Sequence, residues 1–252
     1  MGKDQQLNKL KYHKKKRDFF LFFLLGIFFL VPGSFLTLFV LWDDTDLLTL
    51  IYFPIFVAAI WIISKYRNKL IFHSMYYQYY LMISDNMGVI NLSRKIFTPS
   101  WLNNIISEEL VHKKDLHDFL CYYQVIPKVK KYIYTKSLVL VCIVAKSENF
   151  DFYSDEVDKE IQKIYETDND AKRSRKHIVL QFKKYQTYTE AAKEEIDKII
   201  NFKVGRDYLV HITVGYFVDQ NTIYFLRPKK KYPNKYYYYA SKKIQEYCGL
   251  IE

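Results

Sequence analysis

The feature that most constrains this chain is an uninterrupted apolar run near its start. Residues Phe19–Trp42 include no charged side chain. As a helix they would be about 36 Å long, at about 1.5 Å per residue, which is enough to cross a hydrocarbon core of about 30 Å. A second apolar run, Leu47–Ile63, would be about 26 Å long and lies near the lower limit for a span. The sequence therefore predicts two transmembrane helices.

The segment between the two runs determines their arrangement. Only Asp43-Asp44-Thr45-Asp46 connects them, so the helices must form an antiparallel hairpin. Lys and Arg are concentrated before the first run and after the second, whereas the connection carries three acids and no base. By the positive-inside rule, this asymmetry predicts a cell-membrane protein with both termini in the cytoplasm.

The first run has two alternative interpretations. It lacks a small-residue cleavage site and a second apolar run follows at once, which argues against a signal peptide. Pro32-Gly33 could turn the run back on itself as a re-entrant loop. Membrane helices tolerate both residue types when neighbours satisfy the backbone, so we expect a kinked helix instead.

The rest of the chain is predicted to be cytoplasmic. The predicted segments are a basic N-terminus (1–18), the transmembrane hairpin (19–63, with spans 19–42 and 47–63), a juxtamembrane region (64–130) and an α/β domain (131–252). An alternative joins residues 70–130 to that domain. Cys121, Cys142 and Cys248 are widely spaced, which excludes a disulfide framework and fits a reducing compartment.

The juxtamembrane region is predicted to be mostly helical. Residues 64–84 either continue the second helix or become a strand by Tyr79, followed by a hairpin turn at 84–88. Thr98-Pro99 has the pattern of a helix start. Apolar residues from Leu116 to Tyr123 recur at helical spacing and predict a second amphipathic helix that ends at Pro127.

Strand and helix patterns alternate after residue 131. Leu138–Ala145 is a continuous apolar run, which predicts a strand buried on both faces. The further predicted elements are a helix (154–165), a polar loop (167–176), a strand (177–185), a helix capped by Thr187 that buries Ile199 and Ile200, two strands (207–217 and 222–227) and a last helix ended by Gly249. This order predicts a mixed sheet with packed helices, in the α+β or α/β class.

Two strand histidines provide a candidate catalytic pair. His211 is followed two residues later by Thr213, a pattern in which imidazoles supply acid and base while hydroxyls hold phosphate. His177 lacks the matching hydroxyl, since Val179 stands there. A phosphoesterase-like enzyme is therefore one hypothesis. The alternative is two strand histidines that face solvent or a partner group.

His112 and Asp115 are the candidate metal ligands. They would share one face of the predicted second amphipathic helix, and His with Asp suits divalent ions. The alternative is that both lie on the solvated face of that helix. The chain has no glycine-rich phosphate loop and no known catalytic motif. We therefore predict no metal and no cofactor, and the sequence favours a non-enzyme.

A basic and aromatic tract near the C-terminus is the main candidate binding feature. It contains no acid from Arg227 to Lys243. Its binding residues are predicted to be Arg227, Lys229, Lys230, Lys231, Tyr232, Lys235, Lys242 and Lys243. Lys and Arg attract phosphates, and tyrosine rings stack on bases or settle among lipid headgroups. The tract therefore predicts contact with anionic lipid, nucleic acid or a protein partner.

These patterns together predict a membrane-anchored protein. Its basic cytoplasmic domain would be an interaction or scaffold module at the inner leaflet, where each base contributes about 1 kcal/mol of attraction. The alternatives are a membrane-tethered phosphoesterase-like enzyme and a nucleic-acid tether.

Overall fold

The structure is a computed structural model and describes residues 3–42, 44–107 and 112–250. Its helices are α1 (Lys3–Leu41), α2 (Thr45–Ser84), α3 (Pro99–Ser107), α4 (Asp155–Thr167), α5 (Asn169–Arg173), α6 (Glu190–Ile196) and α7 (Lys235–Tyr247). Its strands are β1 (Ile90–Asn91), β2 (His112–Asp115), β3 (Phe119–Ile126), β4 (Leu138–Ala145), β5 (Lys176–Tyr185), β6 (Ile200–Val204), β7 (Asp207–Phe217) and β8 (Thr222–Tyr224). The chain divides into two compact units, Met1–Ser84 and Asp85–Glu252.

The first unit is an antiparallel pair of helices, α1 and α2. The rings of Phe35 and Tyr52 lie 5.2 Å apart near the connection, and those of Phe20 and Tyr66 lie 5.8 Å apart further along. The carboxylate of Asp44 accepts a hydrogen bond from the backbone N–H of Leu47 (3.0 Å) and so caps α2. Asp43 lies outside the described residues. The predicted helical hairpin is confirmed.

Both helices are long and apolar enough to cross a membrane. They contain 39 and 40 residues, so each extends beyond the predicted spans. Leu30, Val40 and Phe53 are 72%, 81% and 70% exposed. A core helix of a soluble protein would bury such side chains. Length, composition and outward-facing apolar residues therefore support membrane association.

The structure decides between the alternatives for this unit. Helix α1 continues through Pro32, as expected, so no re-entrant turn occurs. Helix α2 continues to Ser84, so the helical alternative for residues 64–84 is correct and the predicted hairpin at 84–88 is wrong. The aromatic residues there remain helical because α1 gives them a surface to pack on: the ring of His13 stacks on that of Tyr76 at 5.0 Å.

The second unit contains one mixed sheet of eight strands. The strand order is β1-β8-β7-β5-β4-β3-β2, and β6 pairs with β7 outside this path. Strands β4, β5 and β7 are parallel to one another, and the other pairs are antiparallel. Helices pack on the sheet, so the predicted mixed sheet of the α+β class is confirmed.

Alternating residues of the central strands face two different helical layers. Val141 and Val179 belong to a buried cluster that also contains Ile164 of α4 and Ala171 of α5. On the opposite face, Phe182 contacts Trp101 of α3, with ring centroids 5.4 Å apart. All of Leu138–Ala145 is buried, as its apolar pattern predicts. The sheet therefore lies between two layers of helices.

The prediction of an amphipathic helix from Leu116 to Tyr123 is wrong. Strands β2 and β3 occupy its place and form a tight hairpin, in which the N–H of Leu116 donates to the carbonyl of Phe119 (3.0 Å). Every residue of β3 is paired with β4, including Leu120 with Val144. This pairing satisfies the hydrogen-bonding groups of the β3 backbone, and apolar residues on both faces of the strand are buried. The helical spacing of the apolar residues is therefore not evidence for a helix in this segment.

Four smaller expectations are also corrected. The predicted polar loop contains α5, because Asp168 caps it through the N–H groups of Asp170 and Ala171. Helix α6 is capped by Thr189 rather than Thr187. Ile200 begins β6 rather than continuing a helix, and the last predicted strand ends at Tyr224.

Two predicted helix ends are confirmed. The hydroxyl of Thr98 accepts a hydrogen bond from the N–H of Trp101 (3.2 Å), as expected for a cap. Gly249 follows α7 with a φ of +68°, the left-handed conformation that glycine adopts at low cost.

The beginning of the second unit is bound to its later strands. The carboxylate of Asp85 accepts hydrogen bonds from the N–H groups of Lys230 (2.9 Å) and Lys231 (3.0 Å). Ile90 of β1 pairs with Ile223 of β8. Residues distant in sequence therefore close this edge of the sheet.

Candidate functional site

A basic groove lies where the parallel strands β5 and β7 begin. Its volume is about 660 Å³. The lining residues are Thr135, Lys136, Ser137, Arg173, Arg175, Lys176, Lys203, Gly205, Arg206, Tyr208, Asn234, Lys235 and Tyr236. We use the name basic groove for this set.

A tight turn between β6 and β7 brings two cations to the groove. Val204 pairs with Asp207, so Gly205 and Arg206 form a two-residue hairpin loop. Gly205 has a φ of +58°, as the first central residue of a type II′ turn requires. Lys203 and Arg206 are therefore held at the groove by the geometry of this hairpin.

The start of α7 forms another part of the wall. The side-chain oxygen of Asn234 accepts hydrogen bonds from the N–H groups of Tyr236 and Tyr237, both at 2.9 Å. Lys235 is the first residue of α7, where the helix carries partial positive charge. A cation at this position is unfavourable, and an anion in the groove would relieve the repulsion.

The groove has a strong excess of positive charge. Seven of its lining residues are Lys or Arg, and none of the described lining residues is acidic. Within the described part of the chain, none of these seven side chains forms a salt bridge. Burial lowers the pKa of Lys176, and the nearby carboxylate of Asp207, which lies outside the lining set, offsets only part of this effect. The groove is therefore suited to an anionic ligand.

Lys176 is the most confined of these cations. Its ammonium lies 4.8 Å from the ring centroid of Tyr208 and 5.8 Å from that of Tyr236. It also donates a hydrogen bond to the carbonyl of Arg206. Burial lowers the pKa of Lys176, and the charges of neighbouring cations, including Lys203, lower it further. A bound anion would stabilise its charged form.

Comparison of this chain with models of protein families, with curated proteins and with solved structures gave no match. Its function must therefore be inferred from the chemistry of its own residues.

The predicted basic and aromatic tract is divided among several places. Lys235 lines the basic groove, whereas Lys243 is 2% exposed and forms an ion pair with Glu246 at 2.7 Å. Lys229, Lys230 and Lys231 are exposed, and their backbone N–H groups bind Asp85. The tract therefore does not form one continuous basic surface.

The remaining members of the tract are partly enclosed. Burial lowers the pKa of Arg227, whose Nε is buried with no hydrogen-bond partner among the described residues. The rings of Tyr232 and Tyr238 lie 5.0 Å apart, and the ammonium of Lys242 lies 5.8 Å from the ring of Tyr238. These tyrosines pack on neighbouring side chains of the same segment.

The candidate catalytic histidines lie on the same face of the sheet, where His211 is buried and His177 is half-buried. His211 pairs with Val179 in the parallel register, and His177 lies two residues before Val179 on β5. Burial lowers the pKa of His211 to about 4. The hydroxyl of Thr213 donates to the side-chain carbonyl of Gln181 (3.0 Å) and is 1% exposed. Burial therefore limits the access of a substrate to His211 and Thr213.

The candidate metal ligands lie on strand β2 rather than on a helix. Asp115 forms an ion pair with Lys146 at 2.7 Å, and the side chain of His112 lies outside the described part. Across the described residues, no group of three or more His, Cys, Asp and Glu side chains is placed to hold a metal ion.

Most of the basic groove was not predicted from the sequence. Its cations come from several segments that only the sheet topology brings together. One local signal was present: the run from Lys172 to Lys176 contains four bases, but its polar character suggested only a loop.

Proposed function

We propose that this chain is an integral membrane protein whose second unit binds a phosphate-bearing ligand on the cytoplasmic side. The observation that carries the binding function is the basic groove, with seven cations and no acid among its described lining residues. Binding, rather than catalysis, is favoured because neither His177 nor His211 lines this groove.

The membrane part of the proposal rests on α1 and α2. Their apolar segments can span a bilayer, and Lys and Arg flank both outer ends while acids occupy the connection. We therefore place both ends of the hairpin in the cytoplasm and Thr45 on the opposite side.

Cysteine labelling tests this orientation. Thr45 and Lys230 are exposed, and the three native cysteines are buried and free, which keeps background labelling low. In intact cells, a membrane-impermeant maleimide should label Thr45→Cys. The same reagent should label Lys230→Cys only after the membrane is opened. The reverse pattern would refute the orientation.

Two charge-matched variants of the full chain test the binding function. The groove variant carries Arg175→Gln, Lys203→Gln and Arg206→Gln. The control variant carries Lys229→Gln, Lys230→Gln and Lys231→Gln, which leaves the backbone contacts to Asp85 in place. All six side chains are exposed, and each variant lowers the net charge of +11 by three.

Retention on phosphocellulose in a neutral detergent gives the measurement. The wild-type protein and the control should elute at similar salt concentrations. The groove variant should elute at lower salt, because it loses three convergent contacts rather than three dispersed ones. Equal elution of the two variants would show that net charge alone causes retention and would refute a groove-specific function.

A further inference from the structure

The size of the basic groove limits which phosphate-bearing ligand it fits. Its volume of about 660 Å³ falls within the roughly 300–1,000 Å³ of small-molecule sites. A cube of this volume has an edge of about 9 Å. A stacked nucleic-acid strand, with one phosphate per about 3.4 Å, would place only two or three phosphates inside it.

The charge of the groove exceeds what such a strand supplies. Two or three phosphodiesters bring two or three negative charges against seven cations. A chain of three phosphates carries about four charges in a smaller volume, because its terminal phosphate carries nearly two. A compact polyphosphate therefore neutralises more of the groove than a strand of the same length.

The arrangement of the cations fits the same class of ligand. They approach from the loop before β4, the α5–β5 connection, the β6–β7 hairpin and the start of α7. Three of them, Arg173, Arg175 and Arg206, carry guanidinium groups, which bind phosphate oxygens in pairs. Cations on several walls suit a ligand with oxygens on all sides.

The groove also has a neutral part. Ser137, Tyr208 and Asn234 line it beside the cations, and Tyr208 is half-buried. An aromatic ring and polar side chains next to a phosphate site can contact the organic portion of a nucleotide.

Resting on the proposed function, we infer that the ligand is a small molecule with a chain of at least three phosphates, such as a nucleoside triphosphate. A nucleic-acid strand is the alternative that the size and charge of the groove disfavour.

Calorimetry on the full chain in a neutral detergent, without divalent cations, tests this inference. The probes are inorganic phosphate, pyrophosphate, tripolyphosphate, ATP and a hexathymidylate strand at about 0.15 M salt. Affinity should rise about tenfold or more from pyrophosphate to tripolyphosphate, with one molecule bound per chain, because additional charge-assisted contacts form. Hexathymidylate should bind more weakly than tripolyphosphate.

The comparison of ATP with tripolyphosphate shows whether the ligand is a nucleotide or an inorganic polyphosphate. Tighter binding of ATP would support a nucleotide, and equal affinity would support recognition of the phosphate chain alone. The groove variant should bind both at least about 100-fold more weakly, while the control variant should match the wild-type protein.

The outcomes that overturn this inference are distinct from those that overturn the proposed function. Tighter binding of hexathymidylate, lost in the groove variant, would refute the polyphosphate class and leave the proposed function intact. Equal affinity for phosphate and tripolyphosphate would do the same. If no probe binds, or if the groove variant binds every probe as the wild-type protein does, both this inference and the proposed function are refuted.

Discussion

Gly215 is a strand glycine that the packing of α6 requires. A Cβ added at this position would lie 2.3 Å from Cδ1 of Ile196 and 3.1 Å from Cε2 of Tyr185. Ile196 is fully buried, so its side chain has no solvent-filled space to move into. Gly215→Ala therefore overpacks this contact, and we expect it to lower the free energy of unfolding by about 1–3 kcal/mol.

A second substitution tests whether the contact with Ile196 is the cause. Ile196→Val removes Cδ1 and should cost about 0.5–1.5 kcal/mol when made alone. Combined with Gly215→Ala, it removes the atom that the new methyl group meets first. The double variant should therefore be more stable than the sum of the single effects by about 1 kcal/mol. Cγ1 of Ile196, 3.2 Å away, remains and keeps the rescue partial.

Urea unfolding of the full chain, followed by tryptophan fluorescence, provides the measurement. Trp42→Phe and Trp61→Phe leave the buried Trp101 as the reporter of the second unit, since the chain has three tryptophans. Two results would refute the reasoning. One is Gly215→Ala with unchanged stability, and the other is a double variant whose effect equals the sum of the two single effects.

Three further predictions follow from particular residues. Gly205 has a φ of +58°, which disfavours other residues, so Gly205→Ala should cost about 1 kcal/mol of stability and weaken anion binding in the groove. Thermal unfolding measures the stability, and the calorimetry described above measures the binding. Burial, followed by the charge of His177, lowers the pKa of His211 to about 4. The stability that the neutral imidazole contributes is fully present above about pH 6.5 and falls by up to about 3 kcal/mol towards pH 4. In a plot of the urea midpoint against pH, His211→Gln should reduce this fall. Burial raises the pKa of Glu246, but hydrogen bonds from Lys131 and Lys243 outweigh it and lower the pKa to about 2. Stability from this carboxylate should therefore be present above about pH 4.5 and decline towards pH 2, and the decline should be smaller in Glu246→Gln.

The sequence alone predicts those elements whose apolar residues are stable in only one environment. The apolar run of α1 suits a membrane and the fully apolar Leu138–Ala145 suits the interior of a sheet, and the prediction of a helix and of a buried strand is correct for these two segments. The helix predicted over residues 119–126 is wrong, and the segment forms β3, because its aromatic and apolar side chains fit helical and strand spacing equally well. Pairing with β4 decides between the two, and that partner begins twelve residues later in the chain.

The basic groove is harder to predict because its residues are distant in sequence. Lys136, Lys203 and Lys235 become neighbours only through the order of strands in the sheet and the position of α7. The tract around Lys229–Lys231 was more conspicuous in the sequence, since its bases are adjacent. Lys229–Lys231 are exposed and adjacent in the sequence, whereas the bases of the groove come from separate segments that converge on one site.

The pairing of β1 with β8 has a consequence for the synthesis of this protein. Ile90 leaves the ribosome about 130 residues before its partner Ile223. At about 5–20 residues per second, this interval lasts on the order of 10 s. During that time the apolar helices α1 and α2 are already complete, while Asp85 still lacks the N–H groups of Lys230 and Lys231. The second unit can therefore close only near the end of translation, and chaperones that hold nascent chains have a defined period in which to act.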